Sequence, residues 1–128
     1  MLIYLARNLL LVRTPNIAER NMPKPKKHIL VCVQGRPPGH PRGSCQDKGC
    51  NAVWQAFQQE FQQRSLWNDF HLTNTGCLGP CQNGPSVLVY PDNVMYGGVT
   101  PADVVAIVEE HILLDAPVER LKMPEGVW

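Results

Sequence analysis

Apolar positions fall along the chain in two rhythms. "HILVCVQ", residues 28–34, is a short run of β-branched and aliphatic residues with the length of a buried strand. The next ten residues, "GRPPGHPRGS", hold three prolines and three glycines, which excludes helix and sheet interior and predicts a long loop. Val53, Trp54, Phe57 and Phe61 then recur at helical spacing among Gln and Glu, predicting an amphipathic helix over 47–64 with these aromatics in the core. "DFHLTN" (69–74) reads as a second strand. After the Gly/Pro-rich "TGCLGPCQNGP" (75–85), "PSVLVYP" is a buried strand, "DN" a turn and "VMYGGV" its hairpin partner. Thr100, Pro101 and Asp103 announce a helix start: a capping hydroxyl, a proline in the first turn and an acid three residues past the cap. Val104, Val105, Val108 and Ile112 supply its apolar face, and Pro117 ends it. Strand, helix, strand, strand, strand, helix predicts an α/β sandwich, with a crossover between the first two strands and an antiparallel hairpin later.

Composition narrows this picture. A chain of 128 residues makes one domain, and its net charge of +1 carries no nucleic-acid footprint. The charge is uneven: residues 1–27 have six Lys or Arg against Glu19 alone, a net of +5, while 28–128 have six against ten acids, a net of −4. An acidic body favours basic partner surfaces. The apolar start "LIYLARNLLLV" is interrupted by Arg7 and Asn8 and falls short of the ~20 residues of a membrane span. Its arginines leave an organelle-targeting reading, against which Met22 is favoured as the true start. Residues 1–22 are thus expected to be an N-terminal extension, 23–27 a basic linker and 28–128 the domain.

Five cysteines, an odd number without a secretory signal, argue for reduced thiols in the cytoplasm. Cys32 ends the first strand, Cys45 closes the first loop after twelve intervening residues, and Cys77 and Cys81 share the second loop with three between them. Cys50 falls on the apolar side of the first helix, where a free cysteine acts as a small hydrophobe. Four thiolates on two glycine-rich loops suit a metal centre, because the backbone must bend sharply around one point and bring amides close to sulfur. Structural zinc uses short C-x(2 to 4)-C pairs, which only Cys77 and Cys81 match, so spacing places an iron-sulfur cluster ahead of zinc without excluding zinc. No C-x-x-C, Walker or Rossmann pattern is present.

Taken with their flanks, "HILVCVQGRPPGHPRGSC", "TGCLGPCQNGPSVLVYPDNVMYGGVTPADVVAIVEEHI" and "PVERL" closely resemble the thioredoxin-like [2Fe-2S] ferredoxins over about residues 26–122. The resemblance implies a thioredoxin-like sandwich with a small mixed β-sheet and two main helices. It also implies one [2Fe-2S] cluster per chain, with Cys32, Cys45, Cys77 and Cys81 as ligands and Cys50 outside the set. The related subunits of respiratory NADH dehydrogenases have their first two ligands about four residues apart, so the twelve-residue gap here fits the free-standing branch. The expected function is one-electron transfer rather than catalysis, by a homodimer exchanging electrons with a reductase, hydrogenase, nitrogenase or similar protein, with no nucleic acid or membrane involved. A zinc-stabilised interaction module and an iron-sulfur sensor or assembly protein are the alternatives. Amides near Gly76, Gly79 and Gly84 are expected to bond sulfur, while the Ser44 and Thr75 hydroxyls are expected to meet water. His40 is expected to face solvent. Arg36 and Arg42 either guide docking or solvate the loop. Pro85 resembles the proline that precedes a strand in thioredoxin-like folds, with its cis or trans state open.

Overall fold

The computed structural model describes residues 24–37, 39, 41 and 44–128. The expected N-terminal extension, 1–22, lies outside them, as do His40 and Arg42. Strands β1 (Lys27–Cys32), β2 (Phe70–Thr75), β3 (Val87–Tyr90) and β4 (Val94–Tyr96) form one sheet in the order β2-β1-β3-β4. β1 runs parallel to β2, with Lys27 opposite Phe70 and Cys32 opposite Thr75. It runs antiparallel to β3, which turns back into β4. The parallel pair requires a crossover, and helix α1 (Cys50–Arg64) supplies it. β1 also takes in Lys27, the last residue of the basic stretch.

Alternation along the strands sorts the side chains onto two faces. Ile29, Val31, Val87 and Val89 pack with Val53, Phe57 and Phe61 of α1 and with Val104, Val108 and Ile112 into the main core. The other face carries a smaller group, Leu88, Met95 and Met123, with Leu30 and Leu78 against it.

Helix α1 begins at Cys50 rather than at 47 because Gly49, at φ 91°, occupies the left-handed region and breaks it from a 3-10 turn over Gln46–Lys48. Helix α2 (Pro101–Ala106) starts as the sequence predicts. The Asp103 amide donates to Thr100 Oγ1 at 3.2 Å and the Thr100 amide to Asp103 Oδ2 at 3.0 Å, a reciprocal capping box. Beyond Ala106 the helix widens into a π-helical stretch, Ile107–Ile112. Val105, placed on the apolar face by its spacing, is 38% exposed. β4 is shorter than "VMYGGV" because the Gly97 amide leaves the sheet to donate to the Leu121 carbonyl at 3.0 Å.

Away from the cysteine loops, a polar chain threads the core. Lys27 Nζ donates to Asp92 Oδ2 at 2.7 Å and to Asp115 Oδ1 at 2.6 Å, and His111 Nε2 meets the same Asp92 oxygen at 2.5 Å. An ionised carboxylate only accepts, so Nε2 carries a proton, and in the neutral ring Nδ1 accepts from the Tyr96 hydroxyl at 2.7 Å. The Val118 amide donates to that hydroxyl at 2.9 Å. Four segments are tied together this way, and no buried side-chain N or O atom among the described residues lacks a partner. Among the described residues, no helix is long and apolar enough to cross a membrane.

Candidate metal centre

The site is built at the end of β1 opposite Lys27. The Cys32 amide donates to the Ser86 carbonyl at 3.1 Å and the Val33 amide to the Thr75 carbonyl at 2.9 Å. The strand end is thereby pinned to β2 on one side and to the approach to β3 on the other. The first loop returns to this point: the Gln46 amide bonds the Gln34 carbonyl at 3.1 Å, and the Cys45 carbonyl accepts from both Lys48 (3.1 Å) and Cys50 (3.0 Å). Cys32, Cys45 and Cys50 come together as one fully buried group, lined by Val33 and Leu78.

Leu78 joins the two loops. It is the neighbour of Cys77, yet it packs against the buried thiols on one side and against the Leu88, Met95 and Met123 group on the other. Cys77 itself is exposed, and the Gly79 amide donates to its sulfur at 3.3 Å. The bond forms because Gly79, at φ 116°, takes a backbone conformation that a side chain would disfavour. The expectation of an amide-to-sulfur bond in this loop is met at that residue. The Cys81 backbone opens a 3-10 turn, Cys81–Asn83, closed by the Asn83 amide on the Pro80 carbonyl at 3.0 Å; the Cys81 side chain lies outside what the structure describes.

Two of the four expected ligands, Cys32 and Cys45, are therefore in one buried group, Cys77 stands at the surface of the adjoining loop, and the backbone of Cys81 follows in the same loop. Among the described residues, no three His, Cys, Asp or Glu side chains converge as a metal-binding group. The donor chemistry fits an iron-sulfur cofactor: the side chains gathered here are soft thiols, and an amide already points at one of them.

Burial, reinforced by the neighbouring Cys32 sulfur, pushes the Cys45 thiol up to about 12. Burial, and then the charge of Cys32, raises Cys50 as well. Desolvation disfavours a lone thiolate here, so metal loading must displace protons.

Sequence reasoning missed two features. Ser86 is buried, with the Cys45 Sγ hydrogen directed at its Oγ across 3.9 Å, and Ser44 is also buried rather than meeting water. Cys50 sits on the apolar side of α1 as expected, but it groups with Cys32 and Cys45, with Val33 and Leu78 packed on them, rather than with Val53, Phe57 and Phe61 in the main core. Arg36 is half-buried. Both Gly84–Pro85 and Tyr90–Pro91 are cis.

A family model for thioredoxin-like [2Fe-2S] ferredoxins matches residues 20–111. A 2Fe-2S ferredoxin from Aquifex aeolicus (strain VF5) is 50% identical over 101 residues, spanning 78% of this chain and 91% of that protein. One from Clostridium pasteurianum is 42% identical over 102 residues, 80% of this chain and 100% of the other. The crystal structure of the wild-type thioredoxin-like [2Fe-2S] ferredoxin from Aquifex aeolicus superposes with a TM-score of 0.75 at 48% identity, covering 80% of this chain and 100% of that one.

Proposed function

Because this chain belongs to the thioredoxin-like [2Fe-2S] ferredoxin family, we propose that Cys32, Cys45, Cys77 and Cys81 are the four ligands of its cluster. The protein is a ferredoxin, an electron carrier with a [2Fe-2S] cofactor. When bound, that cofactor accepts and releases one electron at a time. The observation that carries the ligand reading is the meeting of the two loops: Leu78, beside Cys77, packs on the buried Cys32 and Cys45 thiols.

Each residue contributes in its own way. Cys32 and Cys45, fully buried, with the partly buried Val33 packed against them, keep water from one side of the site. The Gly79 amide, 3.3 Å from Cys77 Sγ, offsets negative charge on that sulfur and favours the thiolate. Exposure of Cys77 supports a route for electrons at the surface, where a partner can approach. The chain carries out no bond-making chemistry of its own. It works in the cytoplasm as a homodimer, exchanging electrons with a reductase, hydrogenase, nitrogenase or comparable protein whose docking face complements the acidic body of residues 28–128.

Protein purified without oxygen should be red-brown, contain iron and acid-labile sulfide, bleach on reduction and then give the electron paramagnetic resonance signal of a reduced two-iron cluster. Cys77→Ala should abolish or grossly disturb these signals. One zinc per chain with no iron or sulfide would overturn the reading.

A further inference from the structure

Strands β1 and β2 bring two histidines side by side, away from the cysteine loops. His28 is the register partner of His71 across the parallel pair, and the two imidazoles meet edge to face with ring centres 5.7 Å apart. Alternation fixes the face they share. Ile29 and Leu72 turn toward the main core, so His28, His71 and Thr73 stand on the other face of the sheet, where Leu30 packs on the Leu88 group. Both histidines are half-buried, and β2 is an edge strand, which leaves the pair open to small solutes. His28 stands four positions before Cys32, roughly 13 Å along the strand, so the pair is separate from the cysteine site.

We propose that His28 and His71 form a binding site for one divalent late transition-metal ion, of the zinc, copper or nickel class. Imidazole is a preferred ligand of these ions. An ion held at about 2.1 Å by one nitrogen of each ring lies about 3.2 Å from both ring centres, and a tetrahedral angle then sets the centres about 5.2 Å apart. The observed 5.7 Å is within about half an ångström of that separation, a gap that side-chain rotation closes without moving either strand. Thr73 adds the outer contact that metal-bound histidines use. His28 Nε2 is 2.7 Å from Thr73 Oγ1, and in the tautomer that donates there Nδ1 holds the lone pair. Burial first, and then the neighbouring His71, hold the His28 pKa below its ordinary value, so the ring is neutral at pH 7, the form that binds metal.

The test titrates zinc chloride into untagged, cluster-bound protein in a non-chelating buffer. Isothermal calorimetry reads affinity, visible absorption the cluster, and long-range proton-nitrogen spectra the histidine rings. One zinc per chain should bind with the cluster absorption unchanged, and the ring nitrogens of His28 and His71 should shift while those of His111 stay in place. His28→Gln and His71→Gln should each weaken binding about tenfold or more, because losing either ring turns a chelate into a single ligand. His40→Gln should bind as wild type does. Absence of zinc binding, or undiminished binding by the His28→Gln/His71→Gln variant, would overturn the proposal. So would weakening by His40→Gln equal to that of His71→Gln, or bleaching of the cluster in step with added zinc, which would send the ion to the cysteines. Should a variant lose its fold by far-UV circular dichroism, the wild-type spectra decide: shifts at both rings support the site, and a shift at one ring or neither refutes it.

Discussion

Lys27 makes two ion pairs of nearly equal length, and burial separates them. Its own side chain is 8% exposed, that of Asp92 27% and that of Asp115 79%. Asp92→Asn keeps the shape but removes a charge that faces both Lys27 and His111, leaving a buried ammonium whose remaining carboxylate partner is at the surface. Breaking a fully buried pair costs roughly 3–5 kcal/mol. Water reaches a quarter of Asp92, so about 2–3 kcal/mol is expected here. Asp115→Asn removes an exposed partner at nearly the same distance and should cost less than about 1 kcal/mol. Urea unfolding of the cluster-bound protein at pH 7, followed in parallel by far-UV circular dichroism and visible absorption, measures the difference. With a slope of about 1–3 kcal/mol per molar urea, Asp92→Asn should move the midpoint down by roughly 1–2 M and Asp115→Asn by a fraction of that. Equal shifts for the two variants would show that distance, not burial, sets the value of these pairs.

The same pairs fix how stability varies with pH. Burial opposes charge on both groups, but hydrogen bonds from Lys27 and His111 hold Asp92 below its ordinary value, and those to Asp115 and Asp92 hold Lys27 above its own. The Asp92 contribution is therefore full above about pH 4 and lost as acid titrates the folded state, while that of Lys27 is full below about pH 10 and lost in stronger base. The urea-midpoint gap between wild type and Asp92→Asn should close at the acid end, and a gap that widens there refutes the assignment. Gly97→Ala would place a methyl carbon 2.8 Å from the Asn83 carbonyl oxygen and 3.0 Å from Met123 Cε. Met123 can yield but the backbone cannot easily, so a loss of about 1–3 kcal/mol and faster iron release to a chelator are expected, since Asn83 ends the Cys81 turn. Release at the wild-type rate would detach that turn from Gly97. Thr100→Ala removes the cap of α2 and should cost about 1 kcal/mol, seen as a fall of about 4 °C in Tm.

Element types and their order were legible in the sequence because strand and helix periodicities differ and the cap at Thr100 to Asp103 is a local code. Four other features depend on a backbone angle, on the edge of an apolar face or on contacts distant in sequence, and these were not. Gly49 ends one turn and starts a helix through its backbone angle, which a run of polar residues before Val53 does not announce. Ser86 faces Cys45 across 41 positions, so nothing in the neighbourhood of either residue marks the pair. Val105 is exposed while Val104 and Val108 are buried, because helical spacing marks an apolar side but not where its edge falls. Cys50 shows the limit most clearly, because its helix face was correct while its neighbours depend on where two loops fold back.

Leu78 has a practical consequence through what surrounds it. The groove formed by Leu78, Gly79, Pro80, Gln82 and Asn83 is closed on its far side by Val127 and Trp128, the latter 47% exposed. A bulky group attached at Trp128 would hang over the loop that holds Cys77. Measurements of electron-exchange rates are therefore best made on protein with nothing bulky attached at that position.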